Sequence, residues 1–351
     1  MGPSSNKPAL LLQRSESMST PDLIVIHEHP LWQQPLFDAL TRRGVHFEAF
    51  DLKKAAFADD AQPRAKLYFN QASPSAYVRG NARAVPLCLA YLRSLELAGA
   101  RVLNGSRAFA LELSKSAQAG LMHKLGVDCP RSIVFNDVDA LAAEANGFPF
   151  PALLKPEQGG SGARISKVSS IDDVRKAIAA DPNIWLPDGL LLLQQYFPHD
   201  FTKGIVRMEF LGGKLLYAMR VVSHGRFNLC PAPVCNPDAG TGASVCHVPT
   251  VEEKPVEFYP YPEVPPEAVE AGRRVFEAGG LDVGGIEYLE AEDGRRIFYD
   301  VNANSNLRPS IAKAFGFDPF ERVVDFLVQQ LTFAEPSAAR KSSAPFSARA
   351  S

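Results

Sequence analysis

The sequence has almost no net charge and few cysteines. Lys and Arg number 37 against 39 Asp and Glu, a formal net charge of −2, which excludes the basic footprint of a nucleic-acid-binding protein. Five cysteines in a chain of 351 residues indicate a reducing compartment, and hence a cytoplasmic location. No apolar run approaches the roughly 20 residues that span a bilayer. We therefore expect neither a nucleic-acid partner nor a membrane.

Standard zinc-site spacings are also missing. Three of the cysteines, Cys230, Cys235 and Cys246, lie with two histidines in a stretch rich in Pro, Gly and Asn. Their spacing matches none of the usual zinc patterns. An aperiodic stretch of this length, residues 223–262, is usually functional or disordered. A loop with free thiols is the favoured interpretation, and a zinc site stays open as the alternative.

Two common nucleotide-binding motifs are absent. No Gly-x-Gly-x-x-Gly follows the first predicted strand, and no Gly-Lys-Ser/Thr triplet marks a P-loop. Residues 19–105 instead alternate short apolar strands with helices, which predicts a small open α/β domain. Residues 1–18 are expected to be a leader, with Met18 as a candidate native start. The Ser- and Ala-rich residues 334–351 are expected to be a disordered tail.

A β-hairpin is predicted over Ile286–Asn302. Asp293-Gly294 stands between two β-prone runs and is a strong signal for a two-residue turn. Counting outward from that turn places Leu289 opposite Phe298. The same count sets the register of every other pair in the hairpin.

Two acidic side chains meet in this register. Glu287 is predicted to lie opposite Asp300, with Asn302 on the same face. Two carboxylates this close repel each other unless a positive charge lies between them, and oxygen ligands of this kind suit Mg²⁺. The alternative is an exposed hairpin with ordinary surface charges. It fits less well because both acids stand among apolar residues, where an unpaired charge is costly.

A second hairpin is predicted around Gly212-Gly213. The count from that turn places Arg207, Glu209 and Arg220 on one face, opposite an apolar face. Two arginines on one sheet face suggest a site for an anion or a carboxylate. A solvated face with an ordinary Glu–Arg pair is nearly as well supported by this stretch alone.

Two lysines stand at positions suited to phosphate. Lys155 ends a predicted strand and precedes a glycine-rich turn, Gly159, Gly160, Ser161 and Gly162, whose backbone can approach an anion closely. Lys115 lies in the first turn of a helix capped by Ser114. The helix dipole favours negative charge there, so Lys115 is either a solvated surface lysine or a phosphate ligand.

Taken in this order, the pieces resemble the ATP-grasp superfamily, specifically the branch similar to ribosomal-protein S6 modification enzymes and glutathione synthetase. The resemblance covers about residues 105–332. It implies an α/β (α+β) fold with an N-terminal open α/β pre-ATP-grasp domain at residues 19–105. An ATP-grasp domain at residues 106–333 would hold a glycine-rich lid subdomain, about residues 130–195, and a C-terminal antiparallel-sheet subdomain.

The resemblance also implies roles for residues. The ATP ligands would be Lys115, Lys155, Gly159, Gly160, Ser161, Gly162 and Arg207, with Gln194, Gln195, Tyr196 and Phe197 as the adenine linker and Asp200 at the ribose. The Mg²⁺ or Mn²⁺ ligands would be Glu287, Asp300 and Asn302. Arg220 and Arg308, with Lys155, would act on the substrate carboxylate. The family more often has Glu where this chain has Asp300.

The function implied is a carboxylate–amine ligase. ATP would phosphorylate a carboxylate, and an amine would attack the acyl phosphate to give an amide, with small amino-acid-like or peptide substrates. A small-molecule kinase on the same fold and a non-catalytic ATP-binding regulator are the alternatives. The sequence leaves open which acid and amine are used, and whether the chain forms a homo-oligomer.

Overall fold

The computed structural model describes residues 20–160, 162, 164–225, 227, 256–305 and 307–333. The predicted leader, the predicted tail, Ser161 and the cysteine-rich stretch around Cys230, Cys235 and Cys246 lie outside these residues. No helix in the described ranges is long and apolar enough to cross a membrane.

Residues near the N-terminus form a four-stranded parallel sheet, the N-terminal sheet, with strand order β2-β1-β3-β4. Its two central strands, β1 and β3, are fully buried, as expected for parallel strands covered on both faces, whereas the edge strand β2 is only partly buried. The elements are β1 Leu23–His27, α1 Pro30–Arg42, β2 Phe47–Asp51, β3 Leu67–Asn70, α2 Ala84–Leu97 and β4 Val102–Leu103, with 3-10 helices at Leu52–Lys54 and Pro74–Arg79.

The next segment builds an antiparallel sheet, the lid sheet, in the order β5-β8-β6-β7. Its central strands are the predicted strand that ends near Lys155 and the apolar strand before the predicted adenine linker. The glycine-rich turn connects β6 to β7. The elements are β5 Ser132–Phe135, α5 Val138–Glu144, β6 Ala152–Pro156, β7 Ser166–Val168, α6 Ile171–Ala180 and β8 Leu191–Gln195.

The third layer is a five-stranded antiparallel sheet, the central sheet, in the order β11-β10-β9-β12-β13. Helices cover both of its faces, and each face carries an apolar cluster. The strands are β9 Ile205–Leu211, β10 Lys214–Val222, β11 Glu257–Pro260, β12 Val283–Glu290 and β13 Arg296–Asn302. The helices are α3 Ser106–Leu113, α4 Lys115–Lys124, α7 Pro266–Gly279, α8 Pro309–Ala312 and α9 Pro319–Phe333.

One buried asparagine joins the N-terminal sheet to the central sheet. Asn104 follows β4, has a left-handed backbone with φ of 50°, and is fully buried. Its Nδ2 donates to the carbonyls of Val283 and Ala303, and its Oδ1 accepts from the backbone N–H groups of Asp282 and Val283. The two sheets therefore meet through hydrogen bonds that satisfy every side-chain group of Asn104.

The turn of the β12–β13 hairpin differs from the prediction. Ala291 and Arg295 close a three-residue loop, and Gly294 has a φ of 84°, the geometry of a type I turn followed by a left-handed residue. The two-residue count is therefore wrong near the turn, and Leu289 pairs with Ile297 rather than with Phe298.

A β-bulge restores the predicted register farther from the turn. Tyr299 is an extra residue between the pair Tyr288–Phe298 and the pair Glu287–Asp300. Such a bulge shifts the pairing by one residue. The predicted pairing of Glu287 with Asp300 is confirmed, although the route that led to it contained two errors that cancel.

A second bulge, in the β9–β10 hairpin, overturns a prediction. Leu211 pairs with Lys214 as expected, but Leu216 is an extra residue. Arg220 consequently pairs with Val206 and lies on the opposite face from Arg207. The prediction that Arg207 and Arg220 share one face is wrong because a one-residue slip moves a side chain to the other face.

Candidate active site

One cavity of about 500 Å³ lies where the three sheets approach one another. It collects most of the predicted site residues, which come from the lid sheet, the central sheet and the start of α4. Those lining it are Lys115, Lys155, Gly159, Gly160, Gly162, Gln194, Gln195, Tyr196, Phe197, Arg207, Glu287, Asp300, Asn302 and Arg308. Chain segments far apart in sequence thus contribute to one site.

Lys115 faces the cavity from the first turn of α4. Its Nζ lies 2.5 Å from Asp300 Oδ1. Burial opposes the charge on Lys115, but the Asp300 carboxylate raises the lysine pKa above its usual value. Burial likewise opposes the charge on Asp300, but Lys115 lowers the pKa of that carboxyl. Both groups are therefore charged at neutral pH, and the surface-lysine alternative for Lys115 is wrong.

A glutamine holds α4 beside the edge strand β13. Gln118 Nε2 donates to the carbonyl of Val301 at 3.0 Å, and its Oε1 accepts from the Val301 N–H at 2.9 Å. This side chain, only 1% exposed, pairs with backbone groups as a neighbouring strand would. It fixes the distance between α4 and the strand that carries Asp300.

Lys155 lies at the end of β6 and is 4% exposed. Its Nζ donates to Gln194 Oε1 at 2.8 Å. Burial, together with the neighbouring charge of Lys115, lowers the pKa of Lys155 to about 7. No carboxylate of the described residues forms an ion pair with Lys155. Such a buried lysine is suited to an anionic ligand, because phosphate oxygens would supply the missing negative charge.

Sequence reasoning missed a carboxylate that supports Lys115. Glu157 follows β6, and its Oε1 accepts from Ser114 Oγ at 2.6 Å and from the Ser116 N–H at 3.0 Å. Free N–H groups and the helix dipole make a helix N-terminus favourable for a carboxylate. The negative charge of Glu157 therefore offsets the unfavourable positive charge of Lys115 at the N-terminus of α4. The sequence signal for this role was an acidic residue directly after the predicted strand that ends at Lys155-Pro156.

An ion-pair network fills the central-sheet side of the cavity. Arg207 Nε donates to Glu209 Oε1 at 2.6 Å, and its NH1 donates to Glu287 Oε1 at 2.8 Å. Tyr299, the bulge residue, donates its hydroxyl to Glu287 Oε2 at 3.0 Å. Burial raises the pKa of Glu287, with Arg207 acting against that shift. The bulge thus gives Glu287 a hydrogen-bond donor.

The predicted metal ligands fit a hard cation by their chemistry. Glu287 and Asp300 pair across the hairpin, Asn302 Nδ2 donates to Asp300 Oδ2 at 3.1 Å, and all three line the cavity. Oxygen-only donors with space for phosphate suit Mg²⁺. The described ranges contain no cluster of three or more His, Cys, Asp or Glu side chains fit to hold a metal. A cation here would need phosphate oxygens or water to complete its shell.

Arg308 marks a different part of the cavity. Its guanidinium lies over the ring of Phe258, with 3.3 Å from Cζ to the ring centroid. Burial, reinforced by the charge of Arg207, lowers the pKa of Arg308. The backbone N–H of Arg308 donates to the Tyr217 hydroxyl at 2.8 Å. Arg308 is therefore a fixed cation beside apolar walls, which suits a carboxylate on an otherwise apolar molecule.

The predicted adenine linker runs along the lid side of the cavity. The Gln195 N–H donates to the Arg131 carbonyl at 2.8 Å, which holds the linker beside the start of the neighbouring strand β5. The Tyr196 ring lies 4.0 Å from Lys167 Nζ. Apolar residues that include Leu153 of the lid sheet, Ile165 just before β7 and Leu289 of the central sheet line the same cavity. A flat aromatic base would find apolar contacts here.

Two predicted residues are not brought to the cavity. Arg220 contacts Glu290 at 3.2 Å and stacks over Tyr261, because the β10 bulge turns it away. Asp200 is exposed and closes a turn by accepting from the N–H and hydroxyl of Thr202. Neither lines the cavity, so the geometry supports neither the carboxylate role of Arg220 nor the ribose role of Asp200.

Sequence reasoning also missed Glu112 and Asn304. Both line the cavity, and the Asn304 N–H donates to Glu112 Oε1 at 3.2 Å. Burial raises the pKa of Glu112 well above its usual value. A signal existed, because Glu112 stands between Leu111 and Leu113, the same apolar context that pointed to Glu287.

Comparisons with known proteins identify the fold. No protein-family model matches the sequence, and no curated protein matches it. Solved structures do match. The ATP-grasp ligase PsnB with a minimal precursor is 19% identical with a TM-score of 0.60, over 88% of this chain and 99% of that chain. A further PsnB structure holds Mg and ADP.

Two other solved structures give the same result. D-cycloserine synthetase DcsG is 14% identical with a TM-score of 0.62, over 88% of this chain and 99% of that chain. D-alanine–D-alanine ligase from Bacillus anthracis is 12% identical with a TM-score of 0.63, over 90% of this chain and 98% of that chain. The chain has the ATP-grasp fold, and the predicted fold class is confirmed.

Proposed function

We propose that the chain is an ATP-dependent carboxylate–amine ligase that forms an amide or peptide bond through an acyl phosphate. The observation that carries this proposal is the meeting of two buried lysines with the Glu287–Asp300 carboxylate pair in one cavity. The similar solved structures are ligases of this fold. They support a small amino-acid-like or peptide substrate.

The side chains divide the work by charge. ATP with Mg²⁺ or Mn²⁺ would supply the phosphoryl group and neutralise its charge. Lys115 and Lys155 would bind phosphate oxygens, with the backbone of the glycine-rich turn beside them. Glu287, Asp300 and Asn302 would hold the cation, and the linker 194–197 would bind adenine. The ribose partner is unassigned, since Asp200 is turned to solvent.

Arg308 would orient the carboxylate that is activated. Its fixed position beside Phe258 leaves the guanidinium edge as the donor group. Arg207 is committed to Glu209 and Glu287, so its part is to hold Glu287 in place. Arg220 has no part in the proposal. Cytoplasmic location and small-molecule partners belong to the same proposal.

The test is an ADP-release screen against amino acids and short peptides, with mass detection of products. We expect an amide product, ADP and phosphate, dependence on Mg²⁺ or Mn²⁺, and loss of turnover in the Lys155→Ala variant. A phosphoester product would identify a kinase instead. ATP binding without turnover across the screen would favour a regulator, and rescue by zinc alone after chelation would point to the cysteine-rich stretch.

A further inference from the structure

Two buried acceptors in the cavity lack donors. Glu112 lies in the last turn of α3 and is 4% exposed. Its Oε1 accepts from the Asn304 N–H, but its Oε2 has no hydrogen-bond partner among the residues that the structure describes. Asn304 Oδ1 is also buried without a partner in the described chain. Buried polar atoms are normally paired, so two unpaired acceptors on neighbouring residues indicate a missing donor.

The positions of both acceptors are fixed by other bonds. Asn304 Nδ2 donates to the Gln71 carbonyl at 2.9 Å. That bond assigns the amide orientation, because turning it over would place Oδ1 against another acceptor. The bond from the Asn304 N–H to Oε1 at 3.2 Å holds the carboxyl group of Glu112. The two oxygens are therefore preset rather than free to find partners elsewhere.

The nearby cations are already engaged. Lys115 is bound to Asp300, and Arg207 is bound to Glu209 and Glu287. Neither forms a hydrogen bond with Glu112. Burial raises the pKa of the Glu112 carboxyl, and the nearby Asp300 charge adds to that shift. The ionised form of this buried carboxyl is therefore costly on its own, and a ligand that brings positive charge stabilises that form.

We propose that Glu112 and Asn304 form the binding site for a protonated primary amine, the amino group that the ligase couples. This assignment rests on the proposed function for the identity of the amine. An ammonium group carries one positive charge and three donors, which matches one carboxylate oxygen and one amide oxygen. A neutral hydroxyl would satisfy the acceptors but not the charge, and a quaternary amine would satisfy the charge but not the acceptors.

That contrast gives an experiment that needs no turnover. Thermal unfolding of the full chain is measured with methylammonium chloride and with tetramethylammonium chloride at equal concentration. At about 100 mM, we expect methylammonium to raise the wild-type Tm by about 3 °C relative to tetramethylammonium. The Glu112→Gln variant keeps the side-chain size and should lose that difference. Glu290→Gln, a carboxylate bound to Arg220 outside the cavity, should keep it.

Two results would overturn the proposal. One is equal effects of the two cations on wild type, and the other is an undiminished methylammonium effect in Glu112→Gln. Should that variant not fold, wild-type crystals soaked with methylammonium decide. Its nitrogen must lie within hydrogen-bond distance of Glu112 Oε2 and Asn304 Oδ1, and any other position or no density overturns the proposal. A positive result without ligase activity would refute only the proposed function.

Discussion

At the scale of single residues, the protonation of Lys155 is expected to depend on whether ATP phosphates are bound beside it. Its pKa is about 7 in the folded chain against about 10.4 in an unfolded one. The folded state therefore binds fewer protons across that window, and the free energy of unfolding rises with pH from about 7 to about 10. At pH 7 and below, the full cost of burying the charge is present.

We predict that Lys155→Met stabilises the ligand-free chain at pH 7 by on the order of 3 kcal/mol and loses this advantage by about pH 10. Urea unfolding of both proteins at several pH values is the measurement. ATP should also drive uptake of about one proton at pH 8 in wild type, because phosphate raises the lysine pKa. Calorimetry in two buffers detects it, and equal uptake by Lys155→Met would contradict the assignment.

Asp300 carries two contacts with opposite consequences. Facing Glu287, it repels a like charge, and from the pairing alone Asp300→Asn should stabilise the ligand-free chain. The contact with Lys115 at 2.5 Å reverses that expectation, because the variant leaves a buried lysine without its anion.

We predict that Asp300→Asn lowers the free energy of unfolding of the ligand-free chain by about 1–3 kcal/mol. Under the proposed function it also weakens Mg²⁺ binding, with a cost to turnover that shrinks as Mg²⁺ is raised. Asp300→Ala should be worse at every Mg²⁺ concentration. The measurements are urea unfolding and ATP turnover against Mg²⁺. A wild-type titration curve for Asp300→Asn would remove Asp300 from the ligand set.

At the scale of elements, the start of α4 links stability to the site. Glu157 accepts bonds from Ser114 and Ser116, and Asp137 caps α5 by accepting from the N–H groups of Asp139 and Ala140. Only the first of these two carboxylates supports a helix that carries a cavity lysine.

We predict that Glu157→Ala and Asp137→Ala each lower the free energy of unfolding by about 1–2 kcal/mol. Only Glu157→Ala should also weaken ATP binding several-fold, because it releases the helix turn that positions Lys115. Chemical unfolding and ATP titration of both variants test this. Equal losses of ATP affinity in the two would mean that Glu157 acts through stability alone.

The two hairpins show what the sequence can predict about this site. Alternation and turn residues predicted the strands, but neither pattern contains the bulges at Tyr299 and Leu216. A bulge inserts one unpaired residue into a strand, and the alternation of apolar and polar residues does not show where this happens. One cancelled a turn-count error and kept the Glu287–Asp300 pair, whereas the other turned Arg220 away. The apolar neighbours of Glu112 indicate that it is buried, but its contact with Asn304 joins segments far apart in sequence, which no local pattern records.

At the scale of the whole molecule, the glycine-rich turn touches the N-terminal region. A Cβ on Gly160 would lie 2.8 Å from the Ser75 Cβ, whereas a Cβ on Gly159 would meet its nearest atom, Lys115 Cε, at 3.7 Å. Gln158 Nε2 also reaches the Pro74 carbonyl at 3.4 Å. The glycine-rich turn of the lid sheet therefore packs against the 3-10 helix that begins at Pro74.

We predict that Gly160→Ala lowers the free energy of unfolding by about 1–3 kcal/mol through overpacking. Gly159→Ala should cost much less, since an added methyl there makes only ordinary contacts. Adding Ser75→Gly to Gly160→Ala should restore part of the loss. Thermal melts of the three variants test this, and equal effects of the two alanine substitutions would show that the loop does not rest on Ser75.

Asn104 has a consequence for how such a protein can be recombined. Its four side-chain hydrogen bonds end on the backbone around Asp282, Val283 and Ala303, and its left-handed backbone suits few other residues. The segment before residue 104 therefore cannot be replaced by that of another protein without regard to residue 104. A chimera with a foreign N-terminal segment must keep these hydrogen bonds. Its crossover point can lie after residue 104 only if the imported segment also has asparagine at this position.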